Sequence, residues 1–509
     1  SPQSKSDTEV LVNLYQKLGV EAFDHLNGIF ALAIWDKQTE RLILARDKMG
    51  VKPLYYSFCE DGLSFCSEIK GLPQLTVENV EVNLRAFFST IAFGHCPGDT
   101  TVFKNILKLL PGQLLELEGS KITKNTHIRP KNINDCSRMS NQQLSKCLLS
   151  ILKEAVYKQT ISDAPIGAFL SGGLDSTSVV HFAKDLVPDL QCYTTSFTQP
   201  KWSDFENDLP YAEEVANIYN LPLTVVEITP NSFVENFESL IWHLDEPISD
   251  PACITTYCIA QKANADRVKV LLSGTGADEY FVGYRRHKAA MLHDGLTKLP
   301  LDFLSKSASL LSSPFFAKFL SENISRMSKL WTLYPKFGPS AYHLKLEPHK
   351  ISELFGDDVD TSQLDYYRSR KGEGVSSRES HNNILSEVLM LDQNSYLPEQ
   401  LLLYTDKLSM ASGVEVRVPF LDDAVIQFVK QLPRDKLLRN WTSKWLLRKT
   451  MGAHLPETVI KRKKTGFGIP LRDWFSGPLK DFVFEKLATE EIQKYEIFEP
   501  RTVQHFLAE

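Results

Sequence analysis

One apolar segment that runs into paired glycines constrains the fold of this chain more than any other feature of its sequence. Residues 166–170 read Ile-Gly-Ala-Phe-Leu, which is typical of a short buried strand, and residues 171–173 read Ser-Gly-Gly. A helix is predicted to begin at about Asp175. Glycines allow a tight turn that brings backbone N–H groups close to a ligand, and the helix adds its unpaired donors and the positive end of its dipole. The sequence therefore predicts a strand–loop–helix unit that can cradle a pyrophosphate.

Two interpretations of this loop follow from its residues. In one, the hydroxyl groups of Ser171 and Ser176 bind phosphate oxygens and Asp175 holds a divalent cation. In the other, the segment is an ordinary strand–turn–helix in which Asp175 caps the helix. The loop is not a Walker loop, because no Gly-Lys-Ser/Thr follows at the required spacing.

A second loop of the same kind occupies residues 270–284, which read Val-Leu-Leu-Ser-Gly-Thr-Gly-Ala-Asp-Glu-Tyr-Phe-Val-Gly-Tyr. Small residues again follow a strand, and the acidic pair Asp278-Glu279 lies at a helix start, where Asp278 is either a cap or a ligand. Mg²⁺ prefers a few carboxylates together with phosphate oxygens. Two such loops in one sheet fit a single magnesium–nucleotide site, with Asp175 and Asp278 as its metal ligands.

Helices and strands alternate around the two loops. An amphipathic helix is predicted over residues 143–158. Strands are predicted at residues 166–170, 192–197, 223–228 and 268–272. Alternation of this kind predicts an α/β fold with a doubly wound parallel sheet, whose ligands bind at the carboxyl ends of the strands.

The N-terminal third has a different pattern, in which short strands are separated by turns. A helix is predicted at 10–18, and strands at 29–35, 41–45, 53–57 and 63–67, which favour antiparallel sheet. A polar stretch at 121–141 separates this region from the next. We predict domains at residues 1–125 and 141–509, joined by a linker at 126–140.

Composition excludes several classes of protein. The net charge of −6 and the pI near 6.1 argue against a nucleic-acid-binding protein. No apolar run reaches the roughly 18–20 residues that cross a membrane. Eight cysteines lie between Cys59 and Cys258 without metal-type spacing, which indicates reduced thiols in a cytoplasmic protein. A homodimer is allowed, although the sequence does not specify the oligomeric state.

Four segments, at residues 166–177, 270–284, 406–422 and 461–470, resemble the synthetase domain of asparagine synthetase in order and spacing. The resemblance covers about residues 141–480 and implies a sheet of the pyrophosphatase-loop type. Enzymes with this type of loop split ATP between its α and β phosphates. Charge alone indicates a solvated face for the basic run at 461–464. The resemblance instead implies that Lys464 meets phosphate.

The resemblance also implies the other site residues. Leu170 and Gln199 would line the adenine and ribose pocket, and Asp278 would help to hold Mg²⁺. The implied contacts to pyrophosphate, Mg²⁺ and nucleotide are Ser171, Gly172, Gly173, Asp175, Ser176, Ser273 and Gly274. Arg417 and Asp422 are predicted either to be structural or to support the residues that contact the ligand, and His287 is predicted to be a surface or helix-end residue.

Position 275 departs from the family, which has Glu or Asp where this chain has Thr275. Thr275 is assigned with Lys464 to the predicted catalytic set, although a threonine hydroxyl cannot act as a general base near pH 7. Gln199 also replaces a residue that is usually apolar in the family. Both departures weaken the prediction of aspartate as substrate more than the prediction of ATP use.

Three N-terminal segments, at residues 26–36, 45–56 and 67–70, resemble the glutaminase domain of glutamine-hydrolysing asparagine synthetases. The resemblance implies a partial α+β domain with an antiparallel sandwich, in which only Asp7 matches a glutamine-binding position. The family uses an N-terminal cysteine, whereas this chain starts at Ser1. Cys66 and Cys96 cannot substitute, because the chemistry needs an N-terminal amine as base. We therefore expect no glutamine hydrolysis from the chain as given, and packing roles for both cysteines.

The implied activity is ATP-dependent amidation of a carboxylate. The first hypothesis is conversion of L-aspartate to L-asparagine through an aspartyl-adenylate, with release of AMP and pyrophosphate and with ammonia normally from glutamine. The second is a related amidotransferase that acts on another carboxylate, for example in surface-polysaccharide synthesis. The third is a non-catalytic relative that binds nucleotide.

Overall fold

The structure is a computed structural model of the chain. It describes residues 4, 6–59, 62–72, 81–119, 121–128, 136, 139–197, 207–296, 322–356, 383–463 and 468–508. Gln199 and Lys464 lie outside the described residues, as do most of residues 129–138, so the predicted domain boundary there stays a prediction.

The N-terminal region contains two antiparallel sheets. Its strands are β1 (Ala31–Asp36), β2 (Arg41–Arg46), β3 (Tyr55–Cys59), β4 (Gly62–Cys66), β5 (Leu107–Lys108), β6 (Gln113–Glu118) and β7 (Lys121–His127). Their orders are β1-β2-β6-β7 and β4-β3-β5. Leu44 and Leu115 of the first sheet pack in one buried cluster with Tyr56 of the second, so the sheets form the predicted sandwich. Helices Asp7–Leu18 and Leu84–Phe93 and the 3₁₀ segments Gly19–His25 and Ile69–Gly71 accompany them.

A five-stranded parallel sheet forms the centre of the remaining chain. Its strands are β8 (Ile166–Phe169), β9 (Gln191–Phe197), β10 (Leu223–Ile228), β11 (Val270–Leu272) and β12 (Glu415–Arg417), in the order β10-β9-β8-β11-β12. The four strands predicted from periodicity are confirmed within two residues at each end. The strand order reverses between β8 and β11, and such a reversal opens a crevice at the carboxyl ends of the two strands.

Helices cover both faces of this sheet. Leu272 packs in one hydrophobic cluster with Leu148 of helix Asn141–Gln159. Leu271 packs in another with Ala260 of helix Ala252–Ala265. Because successive strand residues face opposite sides, the sheet is covered twice, as the doubly wound prediction requires.

The long helix Asn141–Gln159 begins where a capping box satisfies its first backbone donors. Ser140 Oγ accepts from Gln143 N–H at 3.3 Å, and Gln143 Oε1 accepts from Ser140 N–H at 2.9 Å. This local signal explains why the helix starts close to the predicted position.

The other elements of this region are mostly short. Its helices are Leu174–Ala183, Leu209–Tyr219, Pro230–Leu244, Ala277–Tyr280, Arg285–Leu296, Glu322–Phe337, Pro348–Phe355, Ile384–Leu391, Leu403–Met410, Asp423–Lys430, Arg434–Leu437, Trp445–Met451, Glu457–Lys461, Leu471–Phe475, Lys480–Lys486, Thr489–Gln493 and Pro500–Ala508. Segment Asp392–Leu402 is π-helical, Gly338–Tyr342 and Pro419–Leu421 are 3₁₀, and β13 (Leu438–Arg439) and β14 (Thr442–Ser443) form a hairpin. Within the described parts of the chain, no helix has both the length and the apolarity to cross a bilayer.

His287 does not lie on the surface, which corrects that part of its prediction. It lies in the first turn of helix Arg285–Leu296, where it is fully buried and its Nε2 is 2.5 Å from Asp392 Oδ2. Arg286 and His343 contact the same carboxylate, and together these groups hold the pKa of Asp392 well below its usual value against the effect of burial. A buried carboxylate needs such partners, and charge patterning along the sequence does not reveal them.

The structural roles predicted for Arg417 and Asp422 are confirmed. Arg417 Nη1 donates to the carbonyl oxygens of Gln159 at 2.9 Å and Ile161 at 2.8 Å, which ties β12 to the end of the long helix. Asp422 accepts from Ala424 N–H at 2.9 Å and caps the helix that follows.

The cysteines also have the predicted packing character. The seven whose side chains the structure describes are free thiols. Cys96 is buried, donates to Thr100 O at 3.3 Å, and has a pKa raised by burial to about 12. Cys66 packs against the cluster around Tyr55 and Ile69.

Candidate functional site

The first loop leaves β8 through a turn that only glycine can make. Gly172 has φ +67°, and a Cβ at this position would lie 2.4 Å from the backbone carbonyl carbon of Tyr211. After the turn, Ser176 Oγ lies 3.0 Å from Ser171 Oγ and accepts from Ser171 N–H at 3.3 Å. The two hydroxyl groups assigned to phosphate in the sequence are thus brought together.

The second loop, after β11, touches the first. A Cβ on Gly274 would lie 2.8 Å from Ser176 N and 2.9 Å from the carbonyl carbon of Asp175. Ser273 Oγ and Thr275 Oγ1 are 2.8 Å apart on the same loop. The crevice at the strand-order reversal is therefore bounded by two loops in van der Waals contact.

The two carboxylates predicted to hold a metal converge on one ammonium group. Lys444 Nζ lies 2.5 Å from Asp175 Oδ2 and 2.5 Å from Asp278 Oδ1. Neither aspartate caps its helix, which corrects the alternative interpretation: the N-caps are Gly173 and Gly276, and both carboxylates point to Lys444 instead.

A cleft lies beside these groups. Its lining residues are Ser171, Gly173, Leu174, Asp175, Ser176, Asp208, Gly283, Ser443, Lys444, Arg448, Arg462 and Lys463. Four of them are cations and two are carboxylates. This surplus of positive charge beside a loop rich in N–H and hydroxyl donors suits a polyanion.

Arg462 fastens the C-terminal basic segment to the first loop. Its Nη1 donates to Ser171 O at 2.7 Å, and its Nη2 pairs with Asp208. Its guanidinium carbon lies 4.0 Å from the ring centroid of Tyr211. The interpretation of residues 461–464 as a solvated face is wrong for Arg462, whose side chain is 6% exposed, whereas Lys461 is 73% exposed.

Arg448, in helix Trp445–Met451, supports the same segment. It donates to the carbonyl oxygens of Ile460 and Arg462, the latter at 3.2 Å. Burial lowers its pKa, and the charges of Asp175 and Asp278 oppose that change. Because it lines the cleft and ties down the segment that carries Arg462, Arg448 belongs to the structural frame of the site.

The remaining predicted residues have different surroundings. Leu170 directly follows β8, is 1% exposed in the main core, and donates its backbone N–H to Tyr193 O at 2.8 Å. Asp7 is exposed at the start of the first helix, where it accepts from Thr8 N–H at 2.7 Å, and it is not among the described residues that line the cleft.

Sequence patterns did not single out Lys444, Arg448, Arg462 or Asp208. Lys444 lies 269 residues from Asp175, and Arg462 lies 254 residues from Asp208. The basic run that begins at Lys461 was the one available signal, and it includes Arg462. The other three residues stand in ordinary sequence contexts, and only the fold brings them to the cleft.

The residues present fit a magnesium ion. Within the described residues, no three His, Cys, Asp or Glu side chains are grouped to hold a metal by themselves. Asp175 and Asp278 supply two oxygens, and Asp175 Oδ1 is buried without a hydrogen-bond partner among the described residues. Mg²⁺ commonly takes one or two carboxylates and fills its other positions with phosphate oxygens and water.

Comparison with known proteins adds family information to this geometry. Residues 148–509 match the family model described as asparagine synthase, and residues 1–128 match that of a glutamine amidotransferase domain. An asparagine synthetase (glutamine-hydrolyzing) 1 of Bacillus subtilis strain 168 is 29% identical over 495 residues, which cover 96% of this chain and 75% of that protein. A putative asparagine synthetase of Mycobacterium tuberculosis is 27% identical, with coverage of 95% and 74%. The amidase chyE of Penicillium rubens is 24% identical, with coverage of 96% and 76%.

Proposed function

The chain belongs to the asparagine synthase family, and from that premise we propose that it catalyses ATP-dependent amidation of a carboxylate, with L-aspartate as the acceptor and L-asparagine as the product. The observation that carries this proposal is a cationic cleft lined by the first loop, Asp175 and Lys444, with Asp278 of the second loop in contact with the same lysine. In the complete reaction, ammonia is normally supplied by glutamine.

The first step proposed is formation of an acyl-adenylate. A carboxylate oxygen of the acceptor attacks the α-phosphorus of ATP, the bond from that phosphorus to the bridging oxygen breaks, and pyrophosphate leaves. The donors of Ser171, Gly173 and Ser176 stabilise the leaving pyrophosphate, and Arg462 and Lys463 add positive charge. When bound, Mg²⁺ would be held by Asp175 and Asp278 and would neutralise charge on the phosphate oxygens.

Ammonia then attacks the acyl carbon of the adenylate, and AMP leaves with the bonding electron pair. The amide product keeps the nitrogen, and the excess proton passes to solvent or to a nearby base. We assign Ser273 and Gly274 to nucleotide contacts, Leu170 and Gln199 to the adenine and ribose pocket, and Thr275 and Lys464 to the catalytic set. The domains proposed for these activities are 1–125, a linker at 126–140, and 141–509.

A related amidotransferase that uses another carboxylate is the second candidate, and one observation favours it. Position 275 carries a threonine where the resemblance implies an acidic residue. The Thr275 hydroxyl is engaged by Ser273 in its own loop. The nearby Glu279 is buried behind Tyr284, and its pKa is raised by burial and by the charge of Asp278 to about 7.

The test is pyrophosphate release by the purified chain with Mg-ATP and ammonium, with and without L-aspartate. Ammonium removes any dependence on glutamine hydrolysis. Aspartate-dependent release, together with asparagine detected by mass spectrometry, is the expected result. Release only with other carboxylates would favour the second candidate. Tight binding of Mg-ATP without release from any carboxylate would indicate a nucleotide-binding protein that is not a catalyst.

A further inference from the structure

The Lys444 ammonium occupies the position between the two carboxylates that a magnesium ion would share. Its side chain is 4% exposed, and both of its contacts to Asp175 and Asp278 are 2.5 Å long. We infer that Lys444 is a resident counter-ion that keeps free divalent cation out of this site, so that metal enters only together with a polyphosphate. This inference rests on the nucleotide site proposed above and deepens it.

The local backbone is shaped to deliver this lysine. Lys444 has φ +55°, an uncommon conformation for a residue with a side chain, directly after the hairpin of β13 and β14. Its backbone N–H donates to Phe281 O at 3.1 Å, which anchors it beside the second loop. Strained positions of this kind persist where the surrounding structure fixes them, and they are concentrated at functional sites.

Gly283 supplies the space for the contact. A Cβ at this position would lie 1.7 Å from Asp278 Oδ1 and 2.5 Å from Lys444 Cε. No other residue type fits between these two side chains without moving them. The chain therefore provides both a strained lysine and a glycine that admits it to the pair of carboxylates.

Electrostatics gives the arrangement its consequence. Two carboxylates at one partly buried place repel each other, and one ammonium neutralises about half of their charge. A divalent cation that binds the same oxygens would lie beside that ammonium and be repelled by it. A polyphosphate changes this balance, because its oxygens can accept the ammonium and coordinate the metal together. Arg448 and Arg462 line the same cleft and increase the penalty for metal alone.

The experiment compares the wild type with Lys444→Met and with Lys449→Met. Lys449 is exposed on the helix that follows Lys444, with its Nζ 5.1 Å from the ring centroid of Trp445, so its variant controls for the loss of one positive charge. Mn²⁺ binding without nucleotide is measured by electron paramagnetic resonance. Binding of Mg²⁺ with the non-cleavable α,β-methylene analogue of ATP is measured by calorimetry.

We expect opposite effects of Lys444→Met in the two measurements. Mn²⁺ alone should bind about tenfold tighter or more, because the competing charge is gone, whereas the magnesium–nucleotide complex should bind about tenfold weaker or more. Lys449→Met should change neither constant by more than about twofold. Adding Asp175→Asn to Lys444→Met should abolish the gain in Mn²⁺ affinity.

Two failures can be told apart. If the wild type does not bind the magnesium–nucleotide complex, the proposed function fails. If the wild type binds it, but Lys444→Met binds Mn²⁺ alone no better, the counter-ion inference is overturned. If Lys444→Met binds both Mn²⁺ alone and the magnesium–nucleotide complex more weakly, the counter-ion inference is also overturned, and Lys444 has an ordinary structural role. Thermal melting checks that the variant folds, and Lys444→Gln replaces it if it does not.

Discussion

Ser273 Oγ lies 2.8 Å from Thr275 Oγ1, and Ser273 Oγ also accepts from Thr275 N–H at 3.2 Å. The side chain at position 275 is therefore engaged by its own loop, at the position where the resemblance implies an acid. This relationship separates the question of ATP use, which depends on the first loop, from the question of which carboxylate is amidated.

Thr275→Glu is expected to raise aspartate-dependent pyrophosphate release by about tenfold or more, because a positioned acid–base group commonly contributes at least that much. The measurement is steady-state release with ammonium as the nitrogen source. Thr275→Gln serves as the control, because glutamine has nearly the size of glutamate without its charge. An equal rate in the two variants would show that charge at this position does not limit the reaction with aspartate.

Gly274→Ala is expected to weaken nucleotide binding by about tenfold or more, because the added Cβ would force the second loop away from Ser176 N. Calorimetry with the non-cleavable nucleotide measures this change. Gly295→Ala is the matched control, since nothing lies within 4 Å of its added Cβ, and its binding constant should match the wild type. Unchanged binding in Gly274→Ala would mean that contact between the two loops does not shape the site.

Arg462→Lys is expected to raise the KM for ATP by about tenfold and to lower the free energy of unfolding by about 1–3 kcal/mol, because lysine keeps the charge but loses the forked contacts to Ser171 O and Asp208. Steady-state kinetics and urea unfolding measure the two effects. Lys461→Met removes an exposed charge from the same segment and should alter neither quantity. A wild-type KM in Arg462→Lys would indicate that only the charge at position 462 matters.

The buried pair His95 and Glu399 predicts two pH effects of opposite sign. Burial lowers the pKa of His95 to about 3, so the unfolded chain binds more protons there, and this residue reduces stability as pH falls below about 6.5. Burial raises the pKa of Glu399 to about 7, so the folded chain binds more protons there, and this residue adds stability as pH falls from about 7 to about 4.5.

Urea unfolding at pH 7 and pH 5 tests both signs. Between these values, His95→Gln should lose about 1–2 kcal/mol less stability than the wild type, and Glu399→Gln should lose about 1–2 kcal/mol more. Each protein is compared with itself at the two pH values. The pH-independent effect of each substitution on the free energy of unfolding therefore cancels. Equal pH dependence in all three proteins would mean that neither group has the ionisation that its burial implies.

The sequence predicts those parts of the fold and the site that depend on residues close together in the chain. Strands β8 to β11 and both glycine loops follow from periodicity and from the special role of glycine. Strand β12 has three residues and is hydrogen-bonded to β11 from far along the chain, so no periodicity could predict it. Lys444 was missed for a related reason, because its function depends on contacts that only the fold creates. The surface position predicted for His287 was wrong because a buried carboxylate, not the local pattern, decides its environment.

The place of β12 in the sheet has a consequence for synthesis of the chain on the ribosome. Val270 of β11 pairs with Glu415 of β12, so β11 exposes an unpaired backbone edge until the chain from residue 270 to residue 417 has been translated. Exposed strand edges are templates for aggregation, and pairing across such a long separation is slow. A nascent chain that stops before residue 415 should therefore require a chaperone to stay monomeric, whereas one that extends past residue 417 can close its sheet.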